Sequence, residues 1–215
     1  MFPNVPYGGD LNGIKAVVFD AYGTLVEINK KRWPYRMILE ALKKRGFDIS
    51  NEHKTQLMSA PVELMDVSTL FNTTLPPELS TEVLHALREE LESITLYPDV
   101  VPVFAGLRKA QIKLGLCSNL AKPYAAPVQS LLPHELDAYA WSFEIGAVKP
   151  DPLIYMAVCR SLEVEPNEAL FIGDTEEADY LGPRAVGMHA MLLDRTGTKV
   201  HSQSIHKLTD LLPRA

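Results

Sequence analysis

The sequence feature that most constrains the fold is a series of short apolar runs, each followed at once by a polar residue. The first run, Ile14-Lys15-Ala16-Val17-Val18-Phe19, is rich in β-branched residues and ends at Asp20. A nearly unbroken run of this length is typical of a strand that is buried on both faces of a parallel sheet. Comparable patterns predict further strands at residues 112–117, 142–145, 169–173 and 189–193.

Segments with helical periodicity separate these predicted strands. Pro34 suits a first helical turn and Gly46 suits a helix end, while Ser80 is the predicted N-cap of a second helix that reaches residue 94. No strand pattern is found between about residues 30 and 96, so this segment is predicted to be all-helical. Further helices are predicted at residues 101–110, 151–161 and 176–186.

This alternation predicts an α/β fold with a Rossmann-like, doubly wound parallel sheet and helices on both of its faces. An all-helical segment is inserted after the first strand. We therefore expect a core formed by residues 1–28 and 97–215 and a helical unit formed by residues 29–96. A chain of 215 residues is long enough for one large domain or for a core with one insert.

Composition and charge exclude several classes of protein. Lys and Arg number 21 against 27 Asp and Glu, and the net charge of −6 argues against nucleic acid or an anionic membrane as the partner. No apolar run approaches the roughly 18–20 residues of a membrane span. The N-terminal segment lacks the basic and apolar regions of a signal peptide. Both cysteines, Cys117 and Cys159, lie in apolar segments, so we expect a cytoplasmic protein.

Four polar residues are predicted to meet at one edge of the sheet. Asp20, Ser118 and Asp174 each come directly after a predicted strand, and Lys149 comes just before a predicted helix. Ligands of open α/β sheets bind beyond the carboxyl ends of the strands. A carboxylate at that edge can act as a covalent nucleophile. A lysine and a hydroxyl group can stabilise the charge that phosphoryl transfer spreads over the phosphate oxygens.

These residues stand within four short motifs: Asp20-Ala21-Tyr22-Gly23-Thr24-Leu25, Ser118-Asn119, Lys149-Pro150-Asp151-Pro152, and Gly173-Asp174 followed by Asp179. Their order and contexts resemble those of the haloacid dehalogenase superfamily of hydrolases, and the resemblance covers nearly the whole chain. It implies that Asp20 is the nucleophile. It also implies that the helical unit is a small mobile cap of the C1 type.

The resemblance further implies a set of site residues. The catalytic residues would be Asp20, Tyr22, Ser118 and Lys149, and the phosphate would be bound by Thr24, Ser118, Asn119 and Lys149. Mg²⁺ would be the cofactor, held by Asp20, the backbone carbonyl of Tyr22, and Asp174. Asp179 would orient Asp174 or a metal-bound water from behind. Gly173 is expected to leave room for the backbone close to the nucleophile.

One position departs from the pattern of the family's phosphatases. Most of them carry an aspartate two residues after the nucleophile, which protonates the leaving oxygen, whereas this chain has Tyr22. A phenol is a poor base at neutral pH, so Tyr22 is either structural or a sign of unusual chemistry. The first motif instead looks like that of the two-haloacid dehalogenases, and Tyr155 resembles a tyrosine of their site. Tyr155 can equally be a helix residue that packs on the sheet.

The fourth motif favours a phosphatase. The dehalogenases use no Mg²⁺ and carry serine and asparagine where this chain has Asp174 and Glu176. They also cradle the halide with a cap arginine, for which Arg32, Arg36 and Arg45 are candidates only by their position in the sequence.

We therefore predict a Mg²⁺-dependent phosphatase that hydrolyses a small phosphate ester or acyl phosphate through an aspartyl-phosphate intermediate. The alternatives are a metal-free 2-haloacid dehalogenase and a weakly catalytic phosphate-binding protein. No partner among nucleic acids or membranes is expected, and the chain would be a monomer or a homodimer.

Overall fold

A six-stranded parallel sheet forms the centre of the protein, whose computed structural model describes residues 11–198 and 204–212. The strands are β1 (Ala16–Phe19), β2 (Val26–Ile28), β3 (Ile94–Leu96), β4 (Lys113–Ser118), β5 (Ala138–Trp141), β6 (Ala169–Gly173), β7 (His189–Leu193) and β8 (Ser204–Ile205). The sheet has the order β5-β4-β1-β6-β7-β8, and all its neighbours pair in parallel. The predicted doubly wound α/β fold is confirmed.

The strand order places the end of β1 at the point where the chain changes direction across the sheet. After β1 the chain adds β4 and β5 on one side, and it then returns to add β6, β7 and β8 on the other side. β1 pairs with both β4 and β6, with Phe19 opposite Leu116 and Ile172. The carboxyl ends of these three strands are therefore neighbours, and this crevice is where doubly wound folds bind ligands.

Helices cover both faces of the sheet. They are α1 (Pro34–Lys44), α2 (Asn51–Ser59), α3 (Pro77–Glu92), α4 (Val100–Lys109), α5 (Ala125–Leu131), α6 (Ser142–Ile145), α7 (Pro152–Ser161) and α8 (Gly182–Ala185), with 3-10 turns at Leu64–Phe71, Lys122–Tyr124, Pro166–Glu168 and Leu208–Leu211. Phe19 packs with Phe104 of α4 on one face, and Val18 packs with Val158 of α7 on the other. This alternation explains why β1 is apolar along its whole length. None of the described helices is long and apolar enough to cross a bilayer.

The residues between β2 and β3 form a helical insert, defined here as residues 29–93. Its helices α1, α2 and α3 bury a hydrophobic cluster of their own, which includes Ile38, Leu42, Val67 and Val83. Since β2 and β3 pair antiparallel, the chain leaves and re-enters the core through one two-stranded ribbon. Both ends of the insert are thereby held next to each other.

Several predicted elements are wrong in detail. Residues 142–145 form α6, and the strand lies at β5, because Trp141 is the last residue that pairs with β4. The prediction that residues 30–96 contain no strand fails at β3, which is only three residues long and shows no period.

Two predicted helices also differ from the structure, one in its first residue and one in its type. α3 begins at Pro77 rather than at Ser80, since proline is favoured at a first helical position. The helix predicted at 176–186 is a π-helical turn, Glu176–Leu181, followed by α8.

Candidate active site

The site is built around the carboxylate of Asp20, which follows the last residue of β1. Its Oδ1 accepts hydrogen bonds from the Ser118 hydroxyl at 3.0 Å and from the Lys149 ammonium at 2.7 Å. Ser118 is the last residue of β4, so parallel pairing of β1 with β4 places it beside Asp20. All three side chains are buried. The two donors bind the same oxygen, which fixes the orientation of the carboxylate.

Lys149 is held at its backbone as well as at its ammonium group. The side-chain amide of Asn119 accepts from the Lys149 backbone N–H at 2.7 Å and donates to the Lys149 carbonyl at 2.9 Å. The lysine side chain is only 2% exposed, and its Nζ also donates to Asp179 at 2.6 Å. Burial alone would lower the pKa of Lys149, but the charges of Asp20 and Asp179 raise it above its ordinary value. The lysine therefore stays a cation.

Asn119 was predicted to bind the phosphate. Both polar groups of its side-chain amide contact the backbone of Lys149, so the structure gives this side chain a role in positioning the lysine. A contact between Asn119 and the phosphate stays a prediction.

Three carboxylates meet beside this lysine. Oxygen atoms of Asp20, Asp174 and Asp179 lie within 4.8 Å of one another. Burial, followed by the charge of Asp20, raises the pKa of Asp179 to about 6, against the lowering influence of Lys149. Oxygen ligands with several negative charges are the donor set that Mg²⁺ favours. The cluster therefore fits a divalent cation.

Two glycines make this cluster possible. A Cβ atom at Gly173 would collide with the side chain of Asp179, so Gly173 leaves room for that carboxylate and not, as predicted, for the backbone near the nucleophile. Gly23 has a φ of +86°, and a Cβ atom there would lie 2.7 Å from Oδ2 of Asp174. Side chains at these positions would displace the acidic residues.

Tyr22 does not direct its proton towards the nucleophile. Its hydroxyl donates a hydrogen bond to the backbone carbonyl of Tyr124 at 2.9 Å, and the two rings meet edge to face at 5.8 Å. Burial, then the charges of Glu90 and Asp20, raises the pKa of Tyr22 above its ordinary value. These contacts favour the structural interpretation of Tyr22.

Two further residues that were singled out in the sequence have hydroxyl groups that are not hydrogen-bonded to the three carboxylates. Thr24 is fully buried, and its hydroxyl has no hydrogen-bond partner in the described part of the chain, so its contact with phosphate stays a prediction. Tyr155 is also fully buried in α7, where its hydroxyl donates to the carbonyl of Ala178 at 2.6 Å. That contact favours packing over a role in the site.

A contact between the insert and the core escaped the sequence analysis. The Tyr124 hydroxyl donates to Oε1 of Glu90 at 2.7 Å, and the backbone N–H groups of Arg32 and Trp33 donate to Oε2 of the same residue. Glu90 is buried and thus joins the start of α1 to the core. Its position three residues after Leu87, on the apolar face of α3, was a signal that could have revealed it.

A cavity of about 290 Å³ lies between the insert and the core, and we call it the insert cavity. Tyr22, Leu120 and Tyr124 line it from the core. Tyr35, Lys54, Leu57 and Met58 are among the residues that line it from the insert. No sequence motif marks these positions, because the cavity arises from the packing of two units.

Comparison with known proteins places these features in a family. The model of the family described as haloacid dehalogenase-like hydrolase matches residues 14–187. The chain is 29% identical over 205 residues to the glyceraldehyde 3-phosphate phosphatase of Methanopyrus kandleri, covering 85% of this chain and 84% of that protein. It is 33% identical over 200 residues to phosphatase MT3486 of Mycobacterium tuberculosis, covering 86% and 89%.

The chain is also similar to a relative named for a different activity and to a solved structure. The (S)-2-haloacid dehalogenase 1 of a Pseudomonas species is 26% identical over 207 residues, which cover 86% of each chain. The crystal structure of a HAD phosphatase from Thermococcus onnurineus superposes with a TM-score of 0.62 at 25% identity, covering 92% of this chain and 96% of that one. Since the family model spans most of the chain, the protein belongs to the haloacid dehalogenase-like hydrolases.

Proposed function

We propose that the protein is a Mg²⁺-dependent phosphatase that forms an aspartyl-phosphate intermediate at Asp20. The observation that carries this proposal is the cluster of three carboxylate groups at the end of β1, whose members Asp20 and Asp179 share the ammonium group of Lys149. A phosphate brought beside them would add further negative charge. When bound, Mg²⁺ would offset the charges of the phosphate and the carboxylates. Asp20, Asp174 and the backbone carbonyl of Tyr22 would hold it, with Asp179 behind them.

The chain's own residues then divide the work of the reaction. Asp20 attacks phosphorus, the bond between phosphorus and the leaving oxygen breaks, and the bond electrons depart with that oxygen. Ser118 and Lys149 are placed to donate to the phosphate oxygens as their negative charge spreads in the transition state. Water then attacks the phosphoryl group, which releases inorganic phosphate and restores the Asp20 carboxylate. Phosphatases among the relatives support a small phosphorylated substrate.

The unit of residues 29–96, which contains the helical insert, is proposed to act as the cap over this site, with the core formed by residues 1–28 and 97–215. Its own hydrophobic cluster and its attachment through one two-stranded ribbon support this division. Contacts such as that between Tyr124 and Glu90 hold the insert against the core beside the first motif.

The metal proposal is tested through Asp174. Asp174→Asn removes a charged ligand, so we expect the affinity for Mg²⁺ to fall at least about 10-fold, as judged by isothermal titration calorimetry without substrate. Glu177→Gln removes an exposed carboxylate three residues away and should leave the affinity unchanged. Equal affinities in wild type and Asp174→Asn would exclude this carboxylate as a ligand.

Substitutions of Tyr22 test whether the leaving group departs without a proton from this position. Tyr22→Asp introduces a carboxyl group where burial and the charges of Glu90 and Asp20 favour its protonated form. General acid help is worth about 10²–10⁴-fold for a poor leaving group. We therefore expect the ratio of kcat/KM for glycerol 3-phosphate to that for 4-nitrophenyl phosphate to rise by at least about 10-fold.

Tyr22→Asn is the matched control, because it loses the same hydroxyl contact and has nearly the same size without an acidic proton. If both variants change the ratio alike, another group is the acid.

A second candidate function, 2-haloacid dehalogenation, is favoured by Tyr22 and by the dehalogenase among the relatives. The three candidate arginines argue against it, because each has a partner within the insert. Arg32 pairs with Glu89, Arg36 pairs with Glu40, and Arg45 donates to Thr73 and Thr74. The two functions are separated by a phosphatase panel with and without Mg²⁺, run beside chloride release from 2-chloropropionate. Chloride release without Mg²⁺ would replace the phosphatase proposal.

A further inference from the structure

We infer that the preferred substrates are aryl phosphates whose aromatic leaving group occupies the insert cavity, an inference that rests on the proposed phosphatase function. The cavity begins at Tyr22, two residues beyond Asp20, and at Leu120, two residues beyond Ser118. Asp20 and Ser118 contact each other at 3.0 Å, so two chain segments run from the site to this cavity, and we place the leaving group of a phosphate bound at Asp20 there. The space is available to the group that leaves.

The lining of the cavity selects for apolar surface. Leucine, methionine, alanine and tyrosine side chains form its wall, and among the described residues that line it Lys54 alone carries a charge. Lys54 itself is exposed and donates to Asn51 at 3.2 Å. A sugar or an amino acid would lose hydrogen bonds to water here without replacing them. An aromatic ring would instead bury apolar area against two other aromatic rings, those of Tyr22 and Tyr124.

The volume of the cavity suits a ring system. A dry protein cavity of about 150 Å³ accommodates benzene, and the insert cavity has about 290 Å³. One substituted ring or two fused rings would fill this space. An alkyl group of two or three carbons would leave most of it empty.

The chemistry of the first motif points independently to the same class. The residue two positions after Asp20 is Tyr22, which has no carboxyl group. Its hydroxyl donates a hydrogen bond to the backbone carbonyl of Tyr124. The leaving oxygen then departs without a proton from this position. A phenol has a pKa near 10, so an aryloxide leaves far more readily than the more basic alkoxide of a sugar or glycerol.

The experiment compares four substrates on the whole protein in the presence of Mg²⁺: 2-naphthyl phosphate, phenyl phosphate, glycerol 3-phosphate and acetyl phosphate. Acetyl phosphate has a good leaving group too small to fill the cavity, so it reports the chemistry at Asp20 alone. We expect kcat/KM to be about 10-fold higher for the naphthyl than for the phenyl ester, because the second ring adds buried apolar contact. Glycerol 3-phosphate should be at least about 100-fold poorer than phenyl phosphate.

A pair of methionine variants tests whether the cavity is responsible. Met58 lines the cavity and lies outside the buried cluster of the insert, whereas Met65 packs against that cluster and does not line the cavity. Glutamine has a similar size to methionine but is polar. Met58→Gln should lower the ratio of kcat/KM for 2-naphthyl phosphate to that for acetyl phosphate about 10-fold. Met65→Gln should leave this ratio unchanged.

The outcomes separate this inference from the function on which it rests. One outcome is that acetyl phosphate is hydrolysed and that kcat/KM for glycerol 3-phosphate is equal to or higher than that for the aryl esters. This outcome would overturn the aryl inference but would agree with the proposed phosphatase function. The aryl inference would also be overturned if Met58→Gln left the ratio of kcat/KM for 2-naphthyl phosphate to that for acetyl phosphate unchanged. If none of the four substrates releases phosphate, the proposed function itself fails.

Discussion

Replacing Asp20 by asparagine is expected to lower the turnover of every phosphate ester and acyl phosphate by at least about 10⁴-fold. The amide has nearly the same shape, and its oxygen can still accept from Ser118 and Lys149, which both contact Oδ1 of Asp20. It cannot form the mixed anhydride with phosphate, so the covalent route is lost. The loss should appear in kcat for aryl and alkyl substrates alike.

When both proteins are measured without Mg²⁺, Asp20→Asn should be at least as stable as the wild type. It removes one of three clustered carboxylates, and Lys149 keeps its pairing with Asp179 at 2.6 Å. Less repulsion among like charges offsets the weaker contact with the lysine. Asp66→Asn makes the same change at an exposed position of the insert and should keep full activity. An Asp20→Asn protein with a tenth of wild-type turnover would exclude covalent catalysis by Asp20.

The polar edge of the sheet could be anticipated because it depends on local patterns. Buried parallel strands are apolar along their whole length, so their ends are visible in the sequence, and parallel pairing brings those ends together. The structure accordingly places Ser118 and Lys149 in contact with Asp20. Nothing in the sequence showed that Asn119 contacts the backbone of Lys149, because that contact depends on how the loop before α7 approaches β4.

Contacts between the insert and the core could not be predicted in this way. Glu90 stands on an apolar helix face, which marks it as unusual, but its partner Tyr124 lies 34 residues away in a 3-10 turn of the core. The sequence of residues 142–145 alternates like a half-buried strand and still forms a helix. Pairing with β4 ends at Trp141, so tertiary context overrides the local pattern there.

Replacing Lys149 by methionine is expected to lower the free energy of unfolding by about 3–5 kcal/mol in EDTA. The methionine fills similar space but leaves Asp20 and Asp179 buried and facing each other without their shared cation. Lys15→Met is the matched control, because Lys15 pairs with Glu168 at the same 2.6 Å that separates Lys149 from Asp179. The Lys15 side chain is 64% exposed, so its loss should cost no more than about 1 kcal/mol. Urea denaturation measures both values.

The deficit of Lys149→Met should also depend on pH. Burial and the charge of Asp20 already raise the pKa of Asp179 to about 6 in the wild type, and removing the cation raises it further. Between the unfolded and folded pKa values the folded state binds more protons than the unfolded state, so stability falls as the pH rises. The deficit should therefore be smaller near about pH 5 than near about pH 8.

A second change separates the charge effect from a packing effect. Asp179→Asn in the Lys149→Met background removes one of the two carboxylates that have lost their shared cation. It should therefore raise the free energy of unfolding by about 1–3 kcal/mol at the higher pH. In the wild-type background the same change should leave the stability about unchanged, because the weaker contact with the buried lysine offsets the smaller repulsion among the carboxylates. If the double variant is no more stable than Lys149→Met and the deficit is the same at both pH values, the loss comes from packing, and Lys149 does not hold the two carboxylates together by its charge.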